Sequence, residues 1–479
     1  MTQTLASSSL PPRTAYRFRW VALAALLAAE VMDVLDTTAV TIAGPALERE
    51  LGVSGATLQW IIGGYALAIG AGLVLGGRLG DRFGRRRVFL IGVAAFTLAS
   101  LLCALAPGAG WLVALRLIQG AAGALILPQS FGIIRVIFPP EQRAAALGTI
   151  GPVMSLASVL GPVIGGLLLQ ADLLGTGWRA IFLINIPVGL AVFALAWRLL
   201  PAEQPDRTAR IDITGAVLLV ASCTTLVFPL IQAEQAGWTI WSWACLAGAL
   251  AGFVAFAAYQ RRAAARGRAY LVVPSILKKR AFIVGVLGTL LFFACQVGTQ
   301  LVLTLHLQLG LDYSAGAAGI AGIPFAIGIA IGAALAGAVL AKRLGRRALL
   351  LGASTQALGT GSLILCLALP LGRGIWPLVP GLVLAGVGAG IVLATLFDLV
   401  VSSFEDNEVG SGSGMLSASQ SIGSAIGVGA FGSIFFTVTA SSASASGFIA
   451  ALVACAVILV LFAALTFLLP KALRNEETP

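Results

Sequence analysis

Charged residues are scarce in this chain. Asp, Glu, Lys and Arg make up 10% of its 479 residues, and hydrophobic residues make up 59%. A soluble domain carries roughly 25% charged residues. No soluble core could bury so much apolar chain, so the composition predicts an all-α integral membrane protein that crosses the bilayer many times. The net charge of +11 falls in loops, where the positive-inside rule accounts for it, and we expect no nucleic-acid partner.

The chain also lacks most of the residues from which catalytic and metal sites are made. It has one histidine, His306, and six cysteines that lie singly in or near apolar runs. A membrane-embedded enzyme is therefore not expected, nor a metal or a cofactor. It has no Gly-x-x-x-x-Gly-Lys-Ser/Thr loop, so ATP is not the expected energy source. No cleavable signal peptide is evident, and the first apolar run is expected to remain as a membrane span.

Apolar segments of about 20 residues or more can cross a bilayer, and lipid favours helices for them. Fourteen such segments are predicted: 20–43, 58–77, 87–106, 110–134, 142–170, 179–200, 212–232, 241–261, 281–308, 316–341, 347–369, 376–403, 410–438 and 446–469.

Loop charge predicts the orientation of these segments. Of the 30 Lys and Arg residues, 26 lie in the tails and loops on one side of the predicted membrane. The other side holds Arg49, Arg179 and Arg373, and Arg116 lies within a span. Positive loops stay in the cytoplasm, so both termini are predicted to be inside the cell.

A short basic stretch occurs twice, as 76–87 and as 337–347, with matching residues at a constant offset of 261. Gly84 then corresponds to Gly345. Such a repeat predicts two related halves. We expect six-helix bundles in 20–200 and 281–469, two inserted helices in 211–261, and cytoplasmic tails in 1–19 and 470–479.

The first copy of this stretch resembles the loop motif between helices 2 and 3 of the major facilitator superfamily. The matching residues are Gly77, Asp81, Arg82, Gly84, Arg85 and Arg86. The resemblance implies a major facilitator fold with two added central helices. It also implies a substrate site between the halves and a loop that takes part in conformational change.

Three carboxylates lie inside the first predicted span. Glu30, Asp33 and Asp36 are spaced by three residues and fall within an arc of about 120° on a helix. Each costs about 3 kcal/mol to place at the bilayer centre, so they must face the bundle interior or water. They could bind protons and a cationic substrate. Alternatively, they pair with helix ends or threonine hydroxyls and only hold the helix in place.

Two stretches resemble motifs linked to proton transfer. The run 35–45 resembles the first-helix signature of drug:proton antiporters, which contains Asp36. It has Thr41 where Asn is common and Gly44 where Leu is common. The run 112–123 resembles a superfamily motif in which the arginine, here Arg116, assists proton transfer. Backbone carbonyls that hold Arg116 for packing alone are the alternative.

Gly161, Pro162, Gly165 and Gly166 form a Gly-Pro-x-x-Gly-Gly run in the fifth span. It resembles the antiporter motif of exporters, although close helix packing alone would also favour these residues. The run 178–187 resembles a motif of the fourteen-span drug:proton antiporter group, which agrees with two inserted spans.

Several other polar residues are candidates for the cavity, and hydrogen bonds between helices or capping are the alternative roles. They are Gln119, Gln296, Gln300, Gln420 and Asp398. An interfacial position is expected for His306, and a solvated loop for Glu405, Asp406 and Glu408.

Together these features predict a multi-pass protein of a bacterial plasma membrane that works as a monomer. Its predicted function is proton-coupled antiport by alternating access, which exports amphipathic cationic drugs or toxic small molecules, with the proton gradient as energy source. Export of one specific metabolite, such as a self-made antibiotic or a lipid, is the alternative. A receptor that does not transport would instead bind a ligand tightly without flux.

Overall fold

The computed structural model describes residues 16–172, 175–201, 205, 210–369, 374–402, 404–405 and 408–469. These residues contain helices and no strand. The α-helices are α1 (Arg19–Leu51), α2 (Gly55–Phe83), α3 (Arg85–Ala104), α4 (Ala109–Gly123), α5 (Leu127–Ile137), α6 (Pro140–Gly148), α7 (Ile150–Ala171), α8 (Ala180–Leu183), α9 (Asn185–Leu199), α10 (Ile213–Ala236), α11 (Ile240–Ala265), α12 (Arg280–Leu305), α13 (Ala315–Ala321), α14 (Ile323–Leu335), α15 (Ala341–Leu344), α16 (Arg346–Ala368), α17 (Val379–Val401), α18 (Val409–Thr439) and α19 (Ser444–Thr466).

Within the described part of the chain, twelve helical stretches are long and apolar enough to cross a membrane. α4 and α5 together form one of them, as do α8 and α9, and α13 and α14. α1 and α7 occupy the first and fifth predicted segments but are not among the twelve. α1 is 33 residues long, or about 50 Å, and carries the three carboxylates.

The fifth predicted segment, 142–170, does not form one helix. Pro139 and Pro140 start the separate short helix α6, and proline suits the first turn of a helix. α6 ends at Gly148, and α7 starts at Ile150. The sequence-based boundary therefore merged a short helix with the span that follows it.

Each of the two basic stretches turns at a glycine with a positive φ. Gly84 has φ of +90° between α2 and α3, and Gly345 has φ of +50° between α15 and α16. Side chains disfavour these backbone conformations, which explains a glycine at both positions. The offset of 261 also places α7 on α18 and α2 on α13 to α15. The two halves pack through α2 against α18 and through α7 against α13, so these two contacts are equivalent.

The inserted helices cover one side of the contact between the halves. α10 packs against both α2 and α18, and α11 packs against α10. Ser433 Oγ on α18 donates a hydrogen bond to the Leu230 carbonyl of α10, at 2.6 Å. Only 17% of the most apolar 18-residue stretch of α11 is buried. α11 therefore presents most of its surface outward, as a lipid-facing helix does.

The segment after α11 is bonded to neighbouring helices. Leu271, Val272 and Ile276 are buried. The Leu271 N–H donates to Gln260 Oε1 of α11 at 2.8 Å, and the Val273 N–H donates to Ser411 Oγ of α18 at 3.2 Å. This connection is thus fixed to the insert and to the second half.

Candidate functional site

The three carboxylates of α1 meet three different partners. Ser130 Oγ on α5 donates to Glu30 at 2.7 Å. The Tyr65 hydroxyl on α2 donates to Asp33, and Asp36 forms a salt bridge with Arg116 of α4. Glu30 and Asp36 are buried, whereas Asp33 is partly exposed. All three therefore face the interior of the first half, and Asp33 alone has access to open space.

Asp36 lies at the centre of a buried polar network. Besides Arg116, its carboxylate accepts hydrogen bonds from Asn185 Nδ2 at 2.7 Å and from Gln119 Nε2 at 3.1 Å. Gln119 also donates to Ser100 Oγ at 2.7 Å and accepts from Arg116 Nη1 at 2.8 Å. The five side chains come from α1, α3, α4 and α9. A buried charge is tolerable when it is paired and fully hydrogen-bonded, and Asp36 meets that condition.

Arg116 makes further contacts that fix its guanidinium in place. Its Nε donates to the Ile61 carbonyl at 3.1 Å, and its Cζ lies 3.9 Å from the centre of the Tyr65 ring. A cation so close to an aromatic face is stabilised by the ring. Nη2 is buried and has no hydrogen-bond partner among the described residues. Within the described residues, the two N–H groups of Arg116 Nη2 are therefore left without an acceptor.

Tyr65 connects the two charged sites. Its ring supports Arg116, and its hydroxyl is bonded to Asp33. Tyr65 is therefore in contact both with Asp33 and with the cation of the Asp36–Arg116 pair.

The glycines of the exporter-like run lie where α7 packs against α1. A Cβ placed on Gly161 would lie 1.8 Å from Thr38 Oγ1, and one on Gly165 would lie 2.9 Å from the Ala39 Cα. Neither position has room for a side chain unless the helices separate. The run therefore holds α7 directly against the helix that carries the three carboxylates.

The same run also contacts the second half. A Cβ on Gly166 would lie 2.4 Å from the Ala315 carbonyl oxygen of α13. The Pro162 carbonyl oxygen is 2.3 Å from a Cβ placed on Gly319, also on α13. These contacts lie at the end of the bundle opposite the basic loops, where the halves are closed against each other.

The motif residues at the end of α2 and the start of α3 bond to other helices of the first half. Asp81 and Arg85 form an exposed salt bridge of 3.2 Å, and Arg85 also donates to the Gly132 carbonyl of α5 at 3.4 Å. Arg86 donates to the Trp197 carbonyl of α9. Of the other motif residues, Arg82 is exposed to the surroundings, and Gly77 lines the cavity described next.

A cavity of about 710 Å³ opens at the end that carries the basic loops. α2 and α5 line it from the first half, and α17 and α18 line it from the second. At the opposite end, Gln308 Nε2 of the second half donates to the Ile42 carbonyl of α1 at 3.0 Å. The cavity thus lies between the halves at the basic end, and the halves are in direct contact at the other end.

The remaining cavity candidates lie away from the α1 network. Gln296 accepts a hydrogen bond from Gln356 Nε2 of α16 at 2.7 Å, which is a contact between helices. Gln300 and Gln420 are partly buried, and Asp398 is exposed. No hydrogen bond within the described ranges joins these four residues to Asp36 or Arg116.

The solvated position expected for Glu408 was wrong, and the burial of His306 was not predicted. His306 is buried because α19 packs over it: Ser444 Oγ lies 3.2 Å from its Nδ1, and the Phe448 ring stacks on it at 5.0 Å. Glu408 is also buried, and its carboxylate accepts hydrogen bonds from Lys279 and Ser275, which lie just before α12.

The environment of Glu408 favours its charged form. Burial opposes ionisation, but the Glu405 N–H, Lys279 and Ser275 donate to the carboxylate and lower its pKa to about 2. Glu408 therefore attaches the segment before α12 to the start of α18. Asp406, the third acid predicted for this loop, lies outside the described residues.

Sequence reasoning missed Tyr65 and Ser100 as members of the network. Asn185 was part of a recognised motif but was not selected as a site residue. All three are polar side chains in apolar runs, and that signal alone does not identify a partner.

The family described as Major Facilitator Superfamily matches residues 26–428, and a second match covers 285–479. The chain is 42% identical over 433 residues to a probable actinorhodin transporter of Streptomyces coelicolor, and the match covers 90% of this chain and 75% of the relative.

Two further relatives are named for antibiotics. The chain is 34% identical to the cephamycin export protein CmcT of Amycolatopsis lactamdurans, over 95% of this chain and 93% of that protein. It is 32% identical to the tetracenomycin C resistance and export protein of Streptomyces glaucescens, over 86% and 75% of the two chains.

Solved structures show the same fold at low sequence identity. A bacterial homologue of the human lysosomal transporter Spinster, in an inward-facing conformation, aligns with a TM-score of 0.65 at 20% identity. That alignment covers 94% of this chain and 97% of the homologue. The transporter PepTSo aligns with a TM-score of 0.67 at 14% identity, over 93% of this chain and 98% of that one.

Proposed function

The chain belongs to the major facilitator superfamily as a multi-pass efflux transporter of the bacterial plasma membrane, and we propose that it is a proton-coupled antiporter that works by alternating access. The observation that carries this proposal is the buried network around Asp36 and Arg116, next to the partly exposed Asp33. Ionisable groups are kept inside a membrane bundle at a high energetic cost, and such groups commonly relay protons.

We infer that Asp33 is the first proton acceptor. Of Glu30, Asp33 and Asp36, it alone is partly exposed, and Tyr65 connects it to Arg116. Protonation of Asp33 removes a negative charge from the neighbourhood of Arg116, and protonation of Asp36 then releases the salt bridge. Without that bridge α1 is free to move against α2 and α4, which is the two-state element that alternating access needs.

The topology belongs to the same proposal. We propose that α1 and α7 cross the membrane together with the twelve apolar stretches, which makes fourteen spans, and the charge of the basic loops supports a cytoplasmic location for both termini. The 710 Å³ cavity then opens to the cytoplasm, and the α7–α13 contact closes the outer side. This is the conformation in which an exporter loads its cargo. Function as a monomer is part of the proposal.

The proposed cargo is an amphipathic small molecule of the antibiotic or drug class. Relatives named for actinorhodin, cephamycin and tetracenomycin C support this class. They also favour the second candidate, export of one self-made antibiotic. The carboxylates of α1 predict a cationic cargo, and Asp33 is the residue that would meet it.

Transport by proteoliposomes under an imposed pH gradient tests the proposal. The probes are a lipophilic monocation, ethidium, and a lipophilic dication, dequalinium, with wild type and Asp36→Asn. We expect uptake that requires the gradient and that Asp36→Asn abolishes. Wild-type flux that ignores the gradient would contradict proton coupling and indicate a facilitator.

A further inference from the structure

The cavity at the basic end has a strongly positive lining. Three arginine side chains face it: Arg78 from α2, Arg85 from the start of α3, and Arg135 from α5. Among the described lining residues Asp81 is the one carboxylate, and it is already paired with Arg85 at 3.2 Å. The lining therefore carries two positive charges in excess.

Neither of the other arginines is neutralised by a carboxylate. Arg78 donates to the Leu271 carbonyl at 3.2 Å and lies 6.0 Å from the Tyr270 ring. Both contacts hold its side chain without cancelling its charge. Arg135 is exposed, and no salt bridge in the described part of the chain includes either residue. A cleft lined by one sign of charge between low-dielectric walls concentrates the field within it.

The opposite wall supplies neutral hydrogen-bonding groups and apolar surface. Ser411, Ser413 and Ser417 of α18 line the cavity, and hydroxyls can donate to an anion without adding charge. Apolar side chains complete the walls: Leu73, Val74, Leu127, Phe131, Leu271 and Phe397. This combination suits a molecule with an apolar body and an anionic group.

We propose that this cavity is a binding site for an aromatic anion, and that it is where the exporter collects its cargo from the cytoplasm. The proposal rests on the proposed function and assigns the cargo an anionic group. It differs in the sign of cargo charge from the cation expected at the carboxylates of α1. Those carboxylates are each already held by a donor, and Asp36 is neutralised by Arg116.

Binding to the full-length protein in phosphatidylcholine nanodiscs tests the proposal, with empty nanodiscs as the blank. The probe is naphthalene-2-sulfonate, which is charged at every working pH. Two molecules with the same naphthalene body carry a different charge: methyl 2-naphthyl sulfone is neutral, and trimethyl(2-naphthyl)ammonium is cationic. We expect the anion to bind more tightly than both, and its affinity to fall several-fold when salt rises from about 50 mM to about 500 mM.

Arginine variants locate the site. Arg78→Gln and Arg135→Gln each remove one cavity charge and should weaken sulfonate binding about tenfold, with the neutral sulfone unchanged. Arg78→Lys, which keeps the charge, should retain most of the affinity. Arg87→Gln is the matched control, because Arg87 is an exposed arginine in the first turn of α3 and does not line the cavity.

Anionic lipid is the other source of the same chemistry. Nanodiscs with phosphatidylglycerol should compete with the sulfonate in wild type only if a headgroup reaches the arginines. Competition that Arg78→Gln removes would assign the anion site to lipid and overturn its role in collecting cargo, whereas no competition would support a water-soluble cargo.

Equal binding of anion, neutral molecule and cation would overturn the proposal, as would an equal loss in Arg87→Gln. Because binding is measured without a gradient, failure of proton coupling would leave this result unchanged. Failure of anion binding would likewise leave gradient-driven flux intact.

Discussion

Removal of the Asp36 carboxylate should leave a charge stranded inside the bundle. Asp36→Ala takes away the negative partner of Arg116, whose side chain is fully buried. Losing one partner of a buried ion pair costs about 3–5 kcal/mol. Arg116 keeps its bonds to the Ile61 carbonyl and Gln119 Oε1, and it keeps the Tyr65 ring. We therefore expect a loss at the lower end, about 3 kcal/mol in the free energy of unfolding.

A double-mutant cycle separates this effect from simple damage to packing. Arg116→Met removes the charge but keeps much of the side-chain volume, so Asp36→Ala combined with Arg116→Met should be more stable than Asp36→Ala alone by about 2 kcal/mol. Unfolding in mixed SDS micelles measures the four proteins. The reasoning is refuted if the two single losses add without interaction, because the salt bridge would then contribute nothing to stability.

The remaining predictions concern the contact between the halves and the loop before α18. Gly166→Ala should force α7 away from the Ala315 carbonyl and slow transport at least tenfold, while Gly151→Ala on the same helix, with nothing within 4 Å of its Cβ position, should transport normally. Glu408→Gln should lower stability near neutral pH by about 1 kcal/mol, because its partner Lys279 is partly exposed. Because folding lowers the Glu408 pKa from 4.5 to about 2, this stabilisation is present above pH 4.5 and is lost as pH falls toward 2. Thermal unfolding of wild type and Glu408→Gln across that range should give curves that converge at low pH.

Two outcomes would contradict these expectations. Equal transport by the two glycine variants would show that the close approach of α7 to α13 is not needed. A constant difference between wild type and Glu408→Gln down to pH 2 would show that the charge of Glu408 is not what stabilises the loop.

Hydropathy predicted most of the helices of this fold. Apolar run length was sufficient to locate the helices because lipid leaves the backbone few alternatives. The repeat of Gly84 at Gly345 predicted two related turns, and both glycines have positive φ. Boundaries were weaker, as α6 shows, because Pro139 and Pro140 start a short helix just before the fifth predicted segment, and this helix continues into it.

The site could be predicted only in part. Spacing placed Glu30, Asp33 and Asp36 on one face of a helix, but it could not show that each meets a different partner. The pairing of Asp36 with Arg116 joins residues 80 positions apart. Such contacts depend on how helices pack in three dimensions, and no local pattern encodes them. The burial of Glu408 was missed for the same reason.

Substrate-driven proton movement tests the central claim most directly. Proteoliposomes that hold a pH indicator and ethidium are diluted into ethidium-free buffer, with no initial pH gradient and with valinomycin and K⁺ to hold the voltage at zero. Arg87→Gln serves as the control variant. The account predicts that ethidium efflux acidifies the interior with wild type and Arg87→Gln, and that Asp36→Asn gives no pH change. Ethidium efflux by wild type with constant internal pH would contradict it.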